Sequence, residues 1–275
     1  MKINATRWRQ RRLFSAVGLR RIPAALGLML AAALIPVRSA HAAEVTVYAA
    51  SSLGKAFQAM ARQYQRIKPD VRITFSFAAS DVLQRQVVHG APADIFAAAD
   101  QVAMDKAERA GAIQPSTRRD FATNTLVLIK PADAEGDNHA QGIAQLADLD
   151  SQAITRIGLG NPATVPAGRY ARDSLREANL WDALQEKQVL AQNVRQVLDY
   201  VARGEVDAGF VFATDAALMP DRVKVVENVA SPTSIRYPLA LVQRKERPDA
   251  AADFYDFILS QPGQQILSDH GFGLP

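Results

Sequence analysis

The chain of 275 residues contains no cysteine, which excludes disulfides, thiolate metal sites and a cysteine nucleophile. Histidine is nearly as scarce. Beyond His41 there are only His89, His139 and His270, spaced too widely to suggest a metal cluster. No acid precedes Glu44. Long apolar runs are missing as well: past the first forty-odd residues none reaches the ~20 residues that a spanning helix needs.

What the first segment does contain is a basic leader, Lys2, Arg7, Arg9, Arg11, Arg12, Arg20 and Arg21. An apolar run of about 16 residues, Ile22 to Val37, follows, and then the small-residue stretch Ser39 to Ala43. This order is that of a secretory signal peptide over residues 1–42, cleaved near Ala42, and it implies a periplasmic destination. A membrane anchor is the competing reading, but the run is too short and carries Pro23 and Pro36. Arg11-Arg12-Leu13-Phe14 faintly resembles a twin-arginine motif without its usual flanking residues, so the export route stays open. All 28 acids follow Ala42 whereas eight of the 32 basic residues precede it, leaving a mature chain near −4. The whole-chain pI of 9.4 therefore belongs largely to the leader and gives no reason to expect a nucleic-acid partner.

From Glu44 onward, short β-branched or aromatic runs alternate with helical periods, the pattern of βα units. Strands are expected at 45–48, 72–77, 94–97, 126–129, 156–159, 208–212 and 239–243. Helices are expected at 53–67, 80–89, 102–110, 167–178, 194–203 and 250–259. The rhythm changes near Thr123-Asn124 and returns near Arg236-Tyr237, so residues 43–123 and 237–275 are expected to form a discontinuous first lobe and residues 124–236 a second. Asp133 to Gln141 reads as a surface loop.

Where strands hand over to helices, the chain places serines, alanines and a proline. Ser51 and Ser52 open the first helix, Ser80 opens the second, and Pro166-Ala167-Gly168 opens another. Asn193 precedes a helix starting at Val194. A helix N-terminus offers free N–H groups and the positive end of the dipole, so it can bind an anion without a charged side chain. Serine is also an ordinary N-cap, and one such junction means little. Several matter together, because parallel strands align their carboxyl ends along one ligand-binding edge.

Val47 to Leu53, Phe77 to Ser80, Gly90 to Phe96 with Ala99-Asp100, Val165 to Ala171, Asn193 to Arg195 and Tyr237-Pro238 are similar, in order and spacing, to the periplasmic molybdate-binding proteins of the type II solute-binding superfamily. The resemblance covers essentially all of the mature chain. It implies a two-lobed α/β fold, each lobe a mostly parallel sheet flanked by helices, with two crossover linkers and hinge closure on the ligand. It also implies a molybdate or tungstate oxyanion held through the Ser52 and Ser80 hydroxyls and the Ala167 and Val194 amides. No cofactor is expected. The implied partners are an ABC permease and its ATPase, and a monomer is expected. The family's ligating tyrosine is replaced here by Phe212, which lacks the hydroxyl. A lost donor to a charged group costs ~1.5–3 kcal/mol, unless Ser51, Thr214 or a water substitutes.

Other readings compete. Sulfate, phosphate or ferric ion are alternative cargoes, with Asp81 and Asp215 near the junctions as the acids a cation would need. Ser52-Leu53-Gly54-Lys55 has the Ser-x-x-Lys spacing of acylating enzymes, but their Ser-Asp-Asn and Lys-Thr-Gly partners are absent from the sequence. No enzymatic activity is expected. A regulator's sensor domain is disfavoured by the export signal.

Overall fold

Strand β1 (Ala43–Ala50) buries alternate residues Val45, Val47 and Ala49 in the same core as α1 (Gly54–Ile67), whose Phe57, Met60, Ala61 and Tyr64 recur every three or four residues on one face. These elements come from a computed structural model that describes residues 43–132 and 139–275. The leader at 1–42 and most of the loop at 133–141 lie outside the described residues.

β2 (Val71–Ala78), α2 (Ser80–Val88), β3 (Ile95–Ala97) and α3 (Gln101–Arg109) continue the first unit, and β4 (Arg119–Thr123) ends it. The second unit runs β5 (Leu126–Pro131), β6 (Ile157–Gly160), α4 (Pro166–Glu177), β7 (Gln188–Ala191), α5 (Val194–Ala202), β8 (Ala208–Phe212), α6 (Ala213–Ala216) and β9 (Val223–Val229). β10 (Arg236–Leu241), α7 (Asp249–Leu259) and α8 (Gln261–Asp269) return to the first.

The two sheets share one plan. The first has the order β2-β1-β3-β10-β4 and the second β7-β6-β8-β5-β9. In each, three neighbouring strands are parallel and two more join antiparallel, so both sheets are mixed. The antiparallel strands are those next to the places where the chain changes sheet, over residues 124–125 and 230–235.

Period two decides how the first sheet is sandwiched. Ile95 and Ala97 of β3 join Val45, Phe57 and Tyr64 in the core on one face, while Phe96 and Ala98 join Leu83, Val87 and Met104 of α2 and α3 on the other. Tyr64 is held edge-on by Phe254 and tilted against Phe257, which anchors α7 beside α1. The parallel strands of both sheets hand over to helices at their carboxyl ends, where ligands of open α/β sheets sit.

Candidate functional site

Ser52, Ser80, Ala167, Val194 and Phe212, which the sequence places on five separate segments, all line one cavity of about 10 Å³, together with Ser51. That volume is well below the ~300–1,000 Å³ of drug-sized ligand sites and suits a small ion. An open groove of about 300 Å³, lined by Lys55, Phe77, Asn193 and Arg195, shares Ser51 with it.

Each wall follows from local structure. Ser52 belongs to the 3-10 turn Ser51–Leu53 between β1 and α1, and its Oγ lies 3.1 Å from the Tyr237 hydroxyl. Ser80 is the first residue of α2, and its Oγ accepts the Ala99 N–H at 3.0 Å. Neither serine acts as an N-cap; both are buried. Pro166 opens α4, where the missing proline N–H costs nothing, and the following Ala167 and Gly168 amides have no carbonyl within the helix to bond. Glycine is required at 168, because a Cβ there would stand 1.8 Å from the Gly160 carbonyl oxygen. Asn193 caps α5 by accepting the Gln196 N–H at 3.1 Å, leaving the Val194 amide, in the first turn, without a partner inside the helix.

Two arginines stand close by, and each is paired with a carboxylate. Arg169 of α4 reaches from the second unit into the first, with Nη2 2.5 Å from Asp81 Oδ2 and Nε donating to Asp100 Oδ2 at 2.7 Å. Lys106 Nζ takes the other Asp81 oxygen at 2.6 Å. Arg195 lies 2.6 Å from Asp215 and donates from Nη2 to the Ser52 carbonyl at 3.1 Å. The cavity wall is thus neutral in sum. Among the described residues no cluster of three or more His, Asp or Glu could hold a metal ion. Lys55 is exposed, and Ser52 Oγ is engaged with Tyr237 rather than with it.

Phe212 ends β8 with its ring edge-on to Tyr170 and Tyr237, at centroid distances of 6.3 and 5.7 Å. Of the two residues expected to compensate for its missing hydroxyl, Ser51 lines the cavity. Thr214 instead accepts from Asn124 Nδ2 at 2.9 Å.

Asp215 has no exposed surface. Burial pushes its carboxyl up to about 6, against the opposing pull of Arg195. A carboxyl raised in the folded state contributes stability that is complete below its unfolded value of 3.8 and is lost as pH rises through 6. A gap of about two pH units corresponds to ~3 kcal/mol. Asp215→Asn should therefore gain on the wild type by up to ~3 kcal/mol between pH 4 and pH 7 in urea unfolding. Parallel pH profiles for the two proteins would contradict this.

The sequence did not reveal the pairing of Arg169 with Asp81 and Asp100, nor Tyr237 behind Ser52. These residues lie in or beside the stretches that carried the family resemblance, yet only the fold brings together positions 69 to 185 residues apart.

A family model described as bacterial extracellular solute-binding protein matches residues 45–273. The molybdate-binding protein ModA of Escherichia coli is 36% identical over 232 residues, covering 83% of this chain and 88% of that protein. ModA of Haemophilus influenzae is 34% identical over 235 residues, covering 85% and 91%. The solved periplasmic molybdate-binding protein of Azotobacter vinelandii superposes with a TM-score of 0.70 at 24% identity, covering 84% of this chain and 99% of that one.

Proposed function

This chain belongs to the bacterial extracellular solute-binding protein family, and from that premise we propose that it captures molybdate, or tungstate, in the cavity between its two sheets and delivers it to an ABC importer. The Ser52 and Ser80 hydroxyls and the Ala167 and Val194 amides hold the oxyanion as donors. The observation that carries this reading is the wall itself, which converges hydroxyls and helix-start amides on a small cavity while every neighbouring arginine is paired with a carboxylate. Neutral donors suit an ion that must be released again, and no cofactor or bond-making step is involved. Relatives named as molybdate-binding proteins at 34–36% identity support the choice of cargo. Removal of the leader near Ala42 places the protein outside the cytoplasm, where a permease and its ATPase supply the energy of uptake. Ferric ion is disfavoured because Asp81 and Asp215 are already paired with arginines.

A thermal-shift series on the mature protein tests the cargo. A ligand at 100 times its Kd adds about 2.7 kcal/mol to the folded state, or a rise of roughly 5–10 °C for a chain of this size. Molybdate and tungstate should each produce it; at the same concentration sulfate, phosphate and ferric citrate should produce a much smaller one. A shift with one of the latter three alone would keep the transport role and overturn the ligand.

Phe212→Tyr restores the hydroxyl that the family resemblance implies. One added donor to a charged group should tighten molybdate binding by ~10-fold or more in a calorimetric titration. Unchanged affinity would mean that Ser51 or water already fills that place.

A further inference from the structure

We propose that Asn124 and Tyr237 set the direction of the proton at Ser52, and so make the cavity select oxyanions that carry no proton of their own. The inference rests on the reading of the cavity as an oxyanion site and assigns a specificity role to two residues outside its lining.

The direction follows from donor and acceptor counting. Asn124 Oδ1 accepts the Thr125 backbone N–H at 2.9 Å, which fixes the amide's orientation. Its Nδ2, a donor only, therefore faces Thr214 Oγ1 at 2.9 Å and the Tyr237 hydroxyl at 3.2 Å, one proton for each. Tyr237 Oη thus receives a proton from Asn124 and cannot return one. It is completely buried, and burial pushes its hydroxyl well above the ordinary value, so it keeps its proton. Among the described residues, the only hydrogen-bond partner of that hydroxyl besides Asn124 is Ser52 Oγ, 3.1 Å away. Were Ser52 to donate to Tyr237 instead, the tyrosine proton would be stranded in the core at a cost that the reverse arrangement avoids.

Ser52 Oγ therefore accepts from behind and its own proton is left for the cavity. Ser80 has the same polarity, because its Oγ accepts the Ala99 N–H at 3.0 Å. With both serines filled from behind, the wall presents protons and little to receive them. Molybdate and sulfate, proton-free near neutral pH, match it. Hydrogen phosphate brings an O–H for which only spare serine lone pairs remain, which is a penalty against the wrong ligand rather than a gain for the right one.

Asn124→Asp removes both amide protons, so that Tyr237 donates to the new carboxylate and Ser52 turns its proton back onto Tyr237, presenting a lone pair to the cavity. Tyr237→Phe only frees Ser52 to rotate. Calorimetric titrations with molybdate, sulfate and phosphate on the mature wild type and both variants test this. Molybdate and sulfate affinities should fall together, ~100-fold in Asn124→Asp and ~10-fold in Tyr237→Phe. Phosphate should fall less or gain, so the molybdate-to-phosphate ratio drops at least ~10-fold in Asn124→Asp while the molybdate-to-sulfate ratio holds. Unfolding midpoints of the unliganded proteins show which variants fold. Should Asn124→Asp fail to fold, Tyr237→Phe carries the test through the same two ratios. Folded variants that weaken all three anions equally, or that keep wild-type ratios, overturn the proposal. A wild type that binds no oxyanion overturns the functional reading itself, and this proposal with it.

Discussion

Replacing Ser52 and Ser80 together by alanine should weaken molybdate binding by roughly 100- to 10,000-fold. In the proposed site each hydroxyl donates to a charged ligand, and a hydrogen bond of that kind contributes ~1.5–3 kcal/mol. The two sit on different elements, the turn after β1 and the start of α2, and face the same cavity. Their losses should therefore add approximately. Each alanine also strands a buried partner, the Tyr237 hydroxyl and the Ala99 N–H, so the unliganded protein should lose some stability as well. Calorimetric titration separates the two effects, because a folded double variant with near wild-type affinity would place the ligand elsewhere.

The largest loss of stability is expected from Arg169→Met. The guanidinium is 8% exposed and neutralises two carboxylates, Asp81 and Asp100, that are 0% and 3% exposed. Removing one partner of a buried ion pair typically costs 3–5 kcal/mol, because the charge left behind has neither water nor counter-ion. For a chain of this size that corresponds to a fall in Tm of about 10 °C. Lys106 still reaches Asp81, so Asp100 is the more exposed to the loss, and burial already pushes its carboxyl upward. Adding Asp81→Asn and Asp100→Asn to Arg169→Met should return much of the stability, and Asn at 100 can still cap α3 in place of the aspartate that now accepts from Ala103. A triple variant no more stable than Arg169→Met would show that packing of the arginine stem, not the unpaired charge, sets the cost. Since Arg169 joins α4 to Asp81 of α2 and to Asp100 at the start of α3, the same variants should also loosen the packing of the cavity walls.

Much of this molecule is legible in its sequence. α1, α2, α4 and α5 carry apolar residues at three- and four-residue intervals and start at recognisable junctions, and their bounds fall within a residue or two of the expected ones. β4, β7 and β9 were not read. β7 has only four residues, and β9 pairs with β5 across an irregular register, which breaks the alternation that marks a strand. β10 begins at Arg236, where a linker was expected, rather than at Leu239, and the structure accommodates Pro238 at a register shift between Tyr237 and Pro238. α8 was missed although Ser260 caps it and Pro262 lies in its first turn, both ordinary start signals. Local pattern also cannot tell which strands pair antiparallel, so the mixed character of both sheets emerges only from the fold.

For the site, the residues that face the cavity announced themselves as helix starts, whereas those that polarise or neutralise it did not. Arg169 in isolation is one more basic residue on an amphipathic helix, and Asn124 one more polar residue in a linker. Their roles depend on partners 88 and 113 positions away, beyond the reach of any spacing rule.

The most direct measurement is a crystal structure of the mature protein grown with molybdate, with molybdenum located by its anomalous scattering. A single strong peak should lie within hydrogen-bonding reach of the Ser52 and Ser80 hydroxyls and the Ala167 and Val194 amides, with Arg169 and Arg195 still paired to their carboxylates. A peak in the groove beside Lys55 and Arg195, or an arginine released from its carboxylate to contact the anion, would contradict capture by neutral donors.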